Sequence, residues 1–191
     1  MSRFFGKPVH AAFVVTDVEQ TIARMLESGI GPIFTMRYLR IPARYRGQRH
    51  DAVFTAAFAT SGSMQYEIIQ QHDDTPSPYL EFLDRNPQGG LHHMAYYSTD
   101  FNADIARVRA QGTDFQIVHE FLTPDGPPFE VYLEARNAAD PLLMQLMYQG
   151  LTEPVFREME TISAAWDGKD PIRDLYAMMP PEMALPSDPP K

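Results

Sequence analysis

The sequence predicts an α+β fold of two βαβββ modules followed by a C-terminal helical extension. Three observations lead to this prediction. One stretch of the chain is repeated, each copy changes from a strand pattern to a helix pattern and back to strands, and the repeat stops near residue 149. A chain of 191 residues with 44% hydrophobic and 12% aromatic side chains is long enough for two small modules that share one core.

The repeat aligns residues 10–29, HAAFVVTDVEQTIARMLESG, with residues 93–112, HMAYYSTDFNADIARVRAQG, without a gap. Eight of the twenty positions are identical, whereas chance would give about one or two at ordinary composition. The identical pairs are His10/His93, Ala12/Ala95, Thr16/Thr99, Asp17/Asp100, Ile22/Ile105, Ala23/Ala106, Arg24/Arg107 and Gly29/Gly112.

Each copy predicts one strand and one helix. The apolar stretches 10–15 and 93–98 are strand-like, and each runs into a Thr-Asp pair that suits a helix N-cap. The copies end at Gly29 and Gly112, where a left-handed residue closes the helix. Apolar residues lie between these limits at helical spacing: Val18, Ile22, Met25 and Leu26 in the first copy, and Phe101, Ile105 and Val108 in the second.

Three further strands complete each module. In the first module they are predicted at 33–41, 52–60 and 64–71, and in the second at 115–121, 128–134 and 142–148. A linker between the modules contains a short helix, PYLEFLDR, between two turn-rich ends. The predicted organisation is therefore a first module at 1–75, a linker at 76–90, a second module at 91–149 and an extension at 150–191.

The extension begins with TEPVFREMETISAAW, whose apolar residues share one helical face. A second helix is predicted in KDPIRDLYAMM, with Asp170 as the cap and Pro171 as the first helical residue. These segments are expected to pack on the body or on a partner subunit. The last residues, PPEMALPSDPPK, have the composition of a loosely held tail.

Composition excludes several classes of function. A net charge of −9 disfavours general binding of nucleic acid, and no stretch is apolar enough for a membrane span. The N-terminal residues lack the pattern of a signal peptide. Without cysteine the chain has no disulfide, no thiolate metal site and no cysteine nucleophile. We expect a cytoplasmic protein that acts on a small molecule.

Positive charge is concentrated in one segment, which has no acidic residue before Asp51. It is either a solvated basic loop or a docking patch for an anionic substrate such as a carboxylate or a phosphate. Its arginines are Arg37, Arg40, Arg44, Arg46 and Arg49.

The repeat also predicts a metal site. Two related modules that pack together place equivalent residues around a pseudo-twofold axis, so His10 and His93 are expected to face each other across one cleft. His92 has no counterpart, because Val9 stands at the equivalent position. Strand alternation should point His92 to the opposite face. Of the two adjacent histidines, His93 is therefore the predicted ligand.

The last strand of each module should supply two more ligands. MQYEIIQ and LLMQLMY are both apolar with a polar residue near the middle, which makes Glu67 and Gln145 the best equivalents and Gln65 a weaker candidate. A charged glutamate in so apolar a strand is costly unless it is paired or bound to a metal. His10, Glu67, His93 and Gln145 would suit a divalent ion such as Zn, Co, Ni, Mn or Fe. The alternative is a pair of hydrogen-bonded core histidines with Glu67 at the surface.

These residues resemble the vicinal oxygen chelate superfamily, which includes glyoxalase I, methylmalonyl-CoA epimerase, bleomycin-resistance proteins and extradiol dioxygenases. The resemblance covers about residues 8–149, and SPYLEFLDRNPQGGLHHMAYYSTD is similar to a segment of the epimerases. It implies a U-shaped mixed sheet around a metal cleft, a homodimer, and the same four ligands by position. In the epimerases and glyoxalase I the ligand on the final strand is a glutamate, whereas this chain has Gln145 there.

The resemblance implies chemistry on a substrate that chelates the metal through neighbouring oxygens. Proton transfer, as in an epimerase, another isomerase or a glyoxalase-type lyase, is the first hypothesis, with Glu67 as the catalytic base because an amide accepts no proton near neutral pH. The substrate would be an anionic carbonyl compound, a carboxylate or a CoA thioester. The predicted substrate-binding residues are Arg37, Tyr38, Arg44, Arg46, Tyr97 and Tyr132, although packing is the commoner role of a tyrosine.

Two alternatives stay open. Two histidines and one carboxylate are also the ligands of non-haem Fe(II) dioxygenases, and an aromatic cleft would suit a catechol. A ligand-sequestering protein of the bleomycin-resistance type would need no metal. Metal content separates these possibilities.

Overall fold

The computed structural model describes residues 2–124, 126–136 and 142–178, and it confirms the α+β fold. The first module comprises β1 (His10–Val14), α1 (Val18–Glu27), β2 (Ile33–Arg40), β3 (Ala43–Tyr45), β4 (Gln48–Arg49), β5 (Val53–Ser61) and β6 (Met64–Gln71). The linker helix is α2 (Pro78–Arg85). The second module comprises β7 (Gly90–Ser98), α3 (Phe101–Arg109), β8 (Phe115–Leu122), β9 (Pro128–Ala135) and β10 (Leu143–Tyr148). The extension contains α4 (Gln149–Ala164), β11 (Ile172–Asp174) and a 3₁₀ turn at Leu175–Met178.

One mixed sheet joins the two modules in the order β11-β2-β5-β6-β1-β7-β10-β9-β8-β3-β4. The first strands of the two modules, β1 and β7, pair antiparallel at the centre. Each of them is parallel to the last strand of its own module, β6 or β10. This arrangement is the pseudo-twofold symmetry that the repeat predicts. Both modules belong to one chain, so the cleft between them requires no exchange of strands.

The repeated helices begin and end as the sequence predicts. The Asp17 side chain accepts a hydrogen bond from the backbone of Gln20 at 2.9 Å, and Asp100 accepts one from Ala103 at 3.0 Å. Gly29 adopts a positive φ directly after the end of α1, as a left-handed cap requires. α1 and α3 each pack on their own cluster of the core, centred on Ile22 and on residues 105 and 108. The remaining face of the sheet is free to form the cleft.

The arginine-rich segment crosses from one module to the other. β3 follows β2 directly but pairs with β8, so this segment extends the sheet at its far edge. Its apolar residues Ile41, Ala43 and Tyr45 are buried, while the alternating Arg44 and Arg46 are exposed. The segment therefore contributes Ile41 and Ala43 to the core and leaves Arg44 and Arg46 exposed.

Helix α4 packs on the cleft side of the sheet, where Val155, Phe156 and Met159 are buried. The Phe156 ring lies 5.6 Å from the ring of His10 and 5.5 Å from that of Phe58. The extension thus packs on the body of its own chain. No helix in the described ranges is long and apolar enough to span a membrane.

The prediction of a second helix after Asp170 is wrong. Ile172–Asp174 form β11, which pairs parallel with β2, and only a 3₁₀ turn follows. The few residues available are too short for a stable isolated helix, whereas the free edge of β2 offers backbone hydrogen bonds. The segment PPEMALPSDPPK lies outside the described residues.

Gly89, immediately before β7, allows a test of the close packing between the modules. A Cβ atom at this position would lie 2.4 Å from the carbonyl oxygen of Val14, and φ is +74°. Gly62 has a similar φ of +61° but nothing within 4 Å of its Cβ position. We expect Gly89→Ala to lower the free energy of unfolding by about 3 kcal/mol and Gly62→Ala by about 1 kcal/mol. Urea denaturation measures both, and equal losses would contradict the close approach.

Candidate metal centre and adjoining pocket

The structure brings His10, Glu67 and His93 together. Glu67 Oε2 lies 3.1 Å from His10 Nε2 and 3.3 Å from His93 Nε2. One potential ligand atom from each of the three residues lies within 4.8 Å of the others. All three side chains are buried, and His93 is fully so. Three groups of the types that bind divalent metals therefore converge at one point in the core.

Strand register explains this convergence. In the first module Ala12 of β1 pairs with Glu67 of β6, and in the second Ala95 of β7 pairs with Gln145 of β10. The register is the same in both modules, so Glu67 and Gln145 are related by the pseudo-twofold axis as the repeat implies. Gln145 Oε1 lies 3.1 Å from His93 Nε2 and adds an amide oxygen to the cluster.

The orientation of His92 corrects the sequence-based prediction. Ala12 pairs with His93 and Phe13 with Leu91, so His92 is the extra residue of a β-bulge in β7. The bulge breaks the alternation, and His92 turns its ring toward the ring of His93 instead of away from it. The two Nδ1 atoms lie 2.9 Å apart, and His92 is buried.

If a metal binds His93 Nε2, this contact supplies an acceptor for the proton that His93 then carries on Nδ1. Burial and the neighbouring imidazole of His93 hold the pKa of His92 well below its usual value, so His92 is neutral. His92 Nε2 lies 3.3 Å from the carbonyl oxygen of Pro78, which can only accept a hydrogen bond. Nδ1 of His92 is therefore free to accept from Nδ1 of His93 when a metal occupies Nε2. Without a metal, His93 Nε2 lies 3.1 Å from Gln145 Oε1, which can only accept a hydrogen bond, so the Nε2–H tautomer of His93 donates there.

Unsatisfied atoms show that the cluster suits a cation. His10 Nε2 and Glu67 Oε2 are buried and have no partner with hydrogen-bond geometry, although they lie close together. Buried polar atoms without partners are uncommon and are typical of a missing ion or water. The residues present therefore fit a divalent metal bound by His10, Glu67, His93 and Gln145.

A polar network continues from the cluster to β9. Gln145 Nε2 donates to Glu130 Oε2 at 2.7 Å and to the hydroxyl of Tyr132 at 3.3 Å, which directs its Oε1 toward His93. The hydroxyls of Tyr132 and Tyr79 lie 3.1 Å apart. Two carboxylates, Glu67 and Glu130, thus flank the amide of Gln145.

The two carboxylates have opposite pKa shifts. Burial alone would raise the pKa of Glu67, but the imidazoles of His10 and His93 lower it to about 2. Burial, reinforced by the charge of Glu67, raises the pKa of Glu130 to about 8, although the hydrogen bond from Gln145 opposes this shift. In the metal-free protein Glu67 is ionised at neutral pH, whereas Glu130 holds its proton.

A pocket adjoins the cluster and encloses about 690 Å³ of atom-free space, part of it open to solvent. Glu67 and Glu130 both line it, so the pocket reaches the ligand cluster directly. Most of its wall is apolar and comes from β2, β5, β8, β9 and α4. A pocket of this kind beside convergent polar groups is typical of a binding site for a small molecule.

The structure places most of the predicted substrate-binding residues away from this pocket. Arg37 pairs with Glu19, Arg44 Nη1 lies 3.7 Å from Glu120 Oε2, and Arg46 Nη2 lies 2.8 Å from Glu81 Oε1. Two of the tyrosines also lie elsewhere, since the Tyr38 ring packs on His72 and Tyr97 packs on the core near α4. Of the six, only Tyr132 reaches the cluster. Gln65, the weaker ligand candidate, donates to the Phe156 carbonyl at 3.2 Å.

Glu130 is the site residue that sequence reasoning missed. Its strand, PFEVYLEA, carries this glutamate two positions before Tyr132 and therefore on the same face. Since Tyr132 was already predicted to line the cleft, alternation would have indicated Glu130 as well. The repeat could not have indicated Glu130, because the first module has no potential ligand at the equivalent position.

Comparisons with known proteins bear on the family and the fold. The sequence profile of the glyoxalase/bleomycin resistance protein/dioxygenase superfamily matches residues 8–121, more than half of the chain. No curated protein matches the chain significantly. Among solved structures, methylmalonyl-CoA epimerase from Mycobacterium tuberculosis is similar, with a TM-score of 0.51 and 15% identity over 78% of this chain and 91% of that one. A hypothetical protein from Bacillus halodurans C-125 has a TM-score of 0.52 and 16% identity over 74% and 93%. At these identities the likeness shows the fold alone.

Replacing His92 tests its action on His93. We expect His92→Leu, which removes the acceptor for His93 Nδ1–H, to weaken zinc binding about 10- to 100-fold, as loss of a partner behind a metal ligand typically does. His92→Asn, which keeps an acceptor oxygen, should recover most of the affinity. Competition with a chromophoric chelator measures the affinity. Imidazole ¹⁵N shifts of the zinc-loaded wild type should show His93 protonated at Nδ1 and bound to zinc through Nε2, and zinc bound through Nδ1 would refute the assignment.

The raised pKa of Glu130 predicts a pH dependence of stability in the metal-free protein. Its folded pKa of about 8 exceeds its ordinary value of 4.5, so the folded state binds a proton that the unfolded state has lost. The resulting stabilisation is complete below pH 4.5 and disappears as the pH rises through 8. Relative to Glu130→Gln, the wild type should lose up to roughly 4 kcal/mol over this interval. Urea denaturation of both proteins measures the difference, and parallel pH profiles would disprove the shift.

Proposed function

The chain belongs to the glyoxalase/bleomycin resistance protein/dioxygenase superfamily, and on that premise we propose that it is a divalent-metal-dependent enzyme that catalyses proton transfer on an oxygen-chelating carbonyl substrate. An epimerase, another isomerase or a glyoxalase-type lyase would all perform such a step. One observation carries the proposal: the cluster of His10, Glu67 and His93 opens into a pocket that holds a second carboxylate, Glu130.

His10, Glu67, His93 and Gln145 are the residues that would hold the metal. When bound, a divalent ion can polarise a carbonyl and stabilise the negative charge that develops when the adjacent carbon loses a proton. The chain itself contributes preorganisation. Strand register and the bulge at His92 hold the imidazoles, and Glu130 holds the amide of Gln145, before any substrate arrives.

We assign the proton transfer to Glu130, which would accept a proton once a bound cation offsets the negative charge of Glu67 that helps to keep Glu130 protonated in the metal-free protein. The sequence predicts Glu67 for this role, but Glu67 Oε2 lies between the two imidazoles and is better placed as a ligand. Glu130 lines the pocket without belonging to the His-Glu-His cluster. A positioned carboxylate of this kind typically contributes about 10²- to 10⁴-fold to the rate of a proton transfer. Tyr79, whose pKa burial raises well above its ordinary value, keeps its proton and can only assist by hydrogen bonding.

The similar structure from Mycobacterium tuberculosis is that of a methylmalonyl-CoA epimerase, and epimerisation is a reaction of the proposed class. The likeness to that protein shows the fold alone.

A second candidate function has support of its own. Two histidines and one glutamate beside an aromatic pocket also suit a non-haem Fe(II) dioxygenase that acts on a catechol. A metal-free binding protein is the third possibility. Homodimer formation and a cytoplasmic location remain predictions, and all four potential ligands come from one chain.

Metal content is the first test. Protein purified without chelators is compared with His93→Ala and with His50→Ala, whose histidine lies outside the cluster. We expect about one equivalent of zinc, cobalt, nickel or manganese per chain in the wild type and in His50→Ala, with loss in His93→Ala, because removing one of two imidazole ligands weakens the site. Bound iron, together with oxygen uptake on a catechol, would favour the dioxygenase instead. Absence of any metal would refute the enzyme proposal.

The role of Glu130 is tested by exchange of the acidic proton in deuterated water, followed by NMR on α-hydroxyketones and on CoA thioesters. We expect Glu130→Gln to keep its metal and to slow exchange at least 100-fold, since it removes only the proton acceptor. Glu67→Gln should lose metal affinity first. If Glu130→Gln exchanges at the wild-type rate while Glu67→Gln retains its metal and is inactive, Glu67 is the base.

A further inference from the structure

The pocket beside the ligand cluster has an almost wholly apolar wall. Six large side chains from five different elements form most of it, namely Leu39, Phe54, Phe58, Phe121, Phe129 and Leu151. Phe54 and Phe121 stack with their ring centroids 5.7 Å apart, so the wall is a packed surface and not a set of mobile side chains. Covering such a surface with another apolar surface is favourable, because it removes apolar area from contact with water.

The ionisable side chains among the described residues that line the pocket are both acidic. Among the described residues that line it, Glu67 and Glu130 carry the only carboxyl groups, and no lysine or arginine is present. An anionic group that enters this space would lose its hydration and meet no cation apart from a metal at the ligand cluster. Burying an unpaired charge costs several kcal/mol or more, so the pocket disfavours an anionic body.

The neighbouring arginines do not change this conclusion. Neither Arg44 nor Arg46 lines the pocket. Each contacts an acidic side chain, Glu120 for Arg44, and both Glu81 and Glu134 for Arg46. The arginines of the basic segment thus form ion pairs outside the pocket, and its apolar residues Leu39 and Ile41 line the pocket.

From these observations we propose that the pocket selects a substrate whose body, apart from its two chelating oxygens, is uncharged and apolar, either an aromatic ring or a branched alkyl group. This inference rests on the proposed function, because it takes the ligand cluster as the place where the oxygens bind. It excludes carboxylate or phosphate groups from the pocket. Leu151 gives α4 a part in this selection, since this helix adds a wall that the two modules alone do not supply.

A matched pair of chelators tests the proposal. 4-tert-Butylcatechol and 3,4-dihydroxybenzoate share the same two oxygens and differ in whether the body is apolar or anionic. We expect the zinc-loaded protein, titrated calorimetrically without oxygen, to bind the tert-butyl compound at least tenfold more tightly. Leu151→Lys adds a cation to the wall and should abolish or reverse this ratio. Thr161→Lys, which adds the same charge at an exposed position of α4, should preserve it.

A metal-free experiment separates this proposal from the proposed function. Butylbenzene, which has no chelating group, should shift the methyl resonances of Met36 and Leu151 in the NMR spectrum of the metal-free protein. If it does so while no metal binds, the proposed function fails and the apolar selection stands. If metal binds and the anionic catechol binds as tightly as the apolar one in the wild type, the selection is overturned and the proposed function stands.

Discussion

The buried carboxylate of Glu67 is the constraint on which the rest of the structure depends. A carboxylate in a β-sheet core is tolerated only with partners, and His10 and His93 are the partners that this fold supplies. His10 is the first residue of β1 and His93 lies in β7, so the pairing of these two strands sets the distance between the two histidines. The junction of the two modules is therefore also the place where the ligand atoms meet.

Close packing surrounds the ligand cluster, whose own buried polar atoms are not all hydrogen-bonded. Around the cluster, large aromatic side chains fill the core, and α4 covers one side with Phe156. At its middle, His10 Nε2 and Glu67 Oε2 have no hydrogen-bonding partner. Such a centre lowers the stability of the metal-free protein and is stabilised when a cation binds, because the ion interacts with the folded state only. Metal binding at this cluster, as proposed above, would therefore be coupled to folding.

The arginine-rich segment shows how one strand can serve two purposes. Ile41 lines the pocket and Ala43 is buried in the core, whereas Arg44 and Arg46 are exposed and do not line the pocket. Its pairing with β8 joins the far edges of the two modules, and the outer charges form ion pairs with acids on neighbouring elements. The segment therefore helps to line the pocket, and its basic composition says nothing about the charge of the substrate.

The sequence by itself determined the two-module fold and the four potential ligands, because a gapless repeat carries both the strand-helix pattern and the equivalence of His10 with His93. Only the tertiary structure decided the position of His92, since a bulge depends on how β7 pairs with β1 and leaves no mark in local alternation. The same holds for β11, where a free strand edge outweighed a weak helix signal. The ion pairs of the arginines and the approach of Glu130 to Gln145 join residues far apart in the chain. Contacts of this kind arise from packing, which no local pattern of residues encodes.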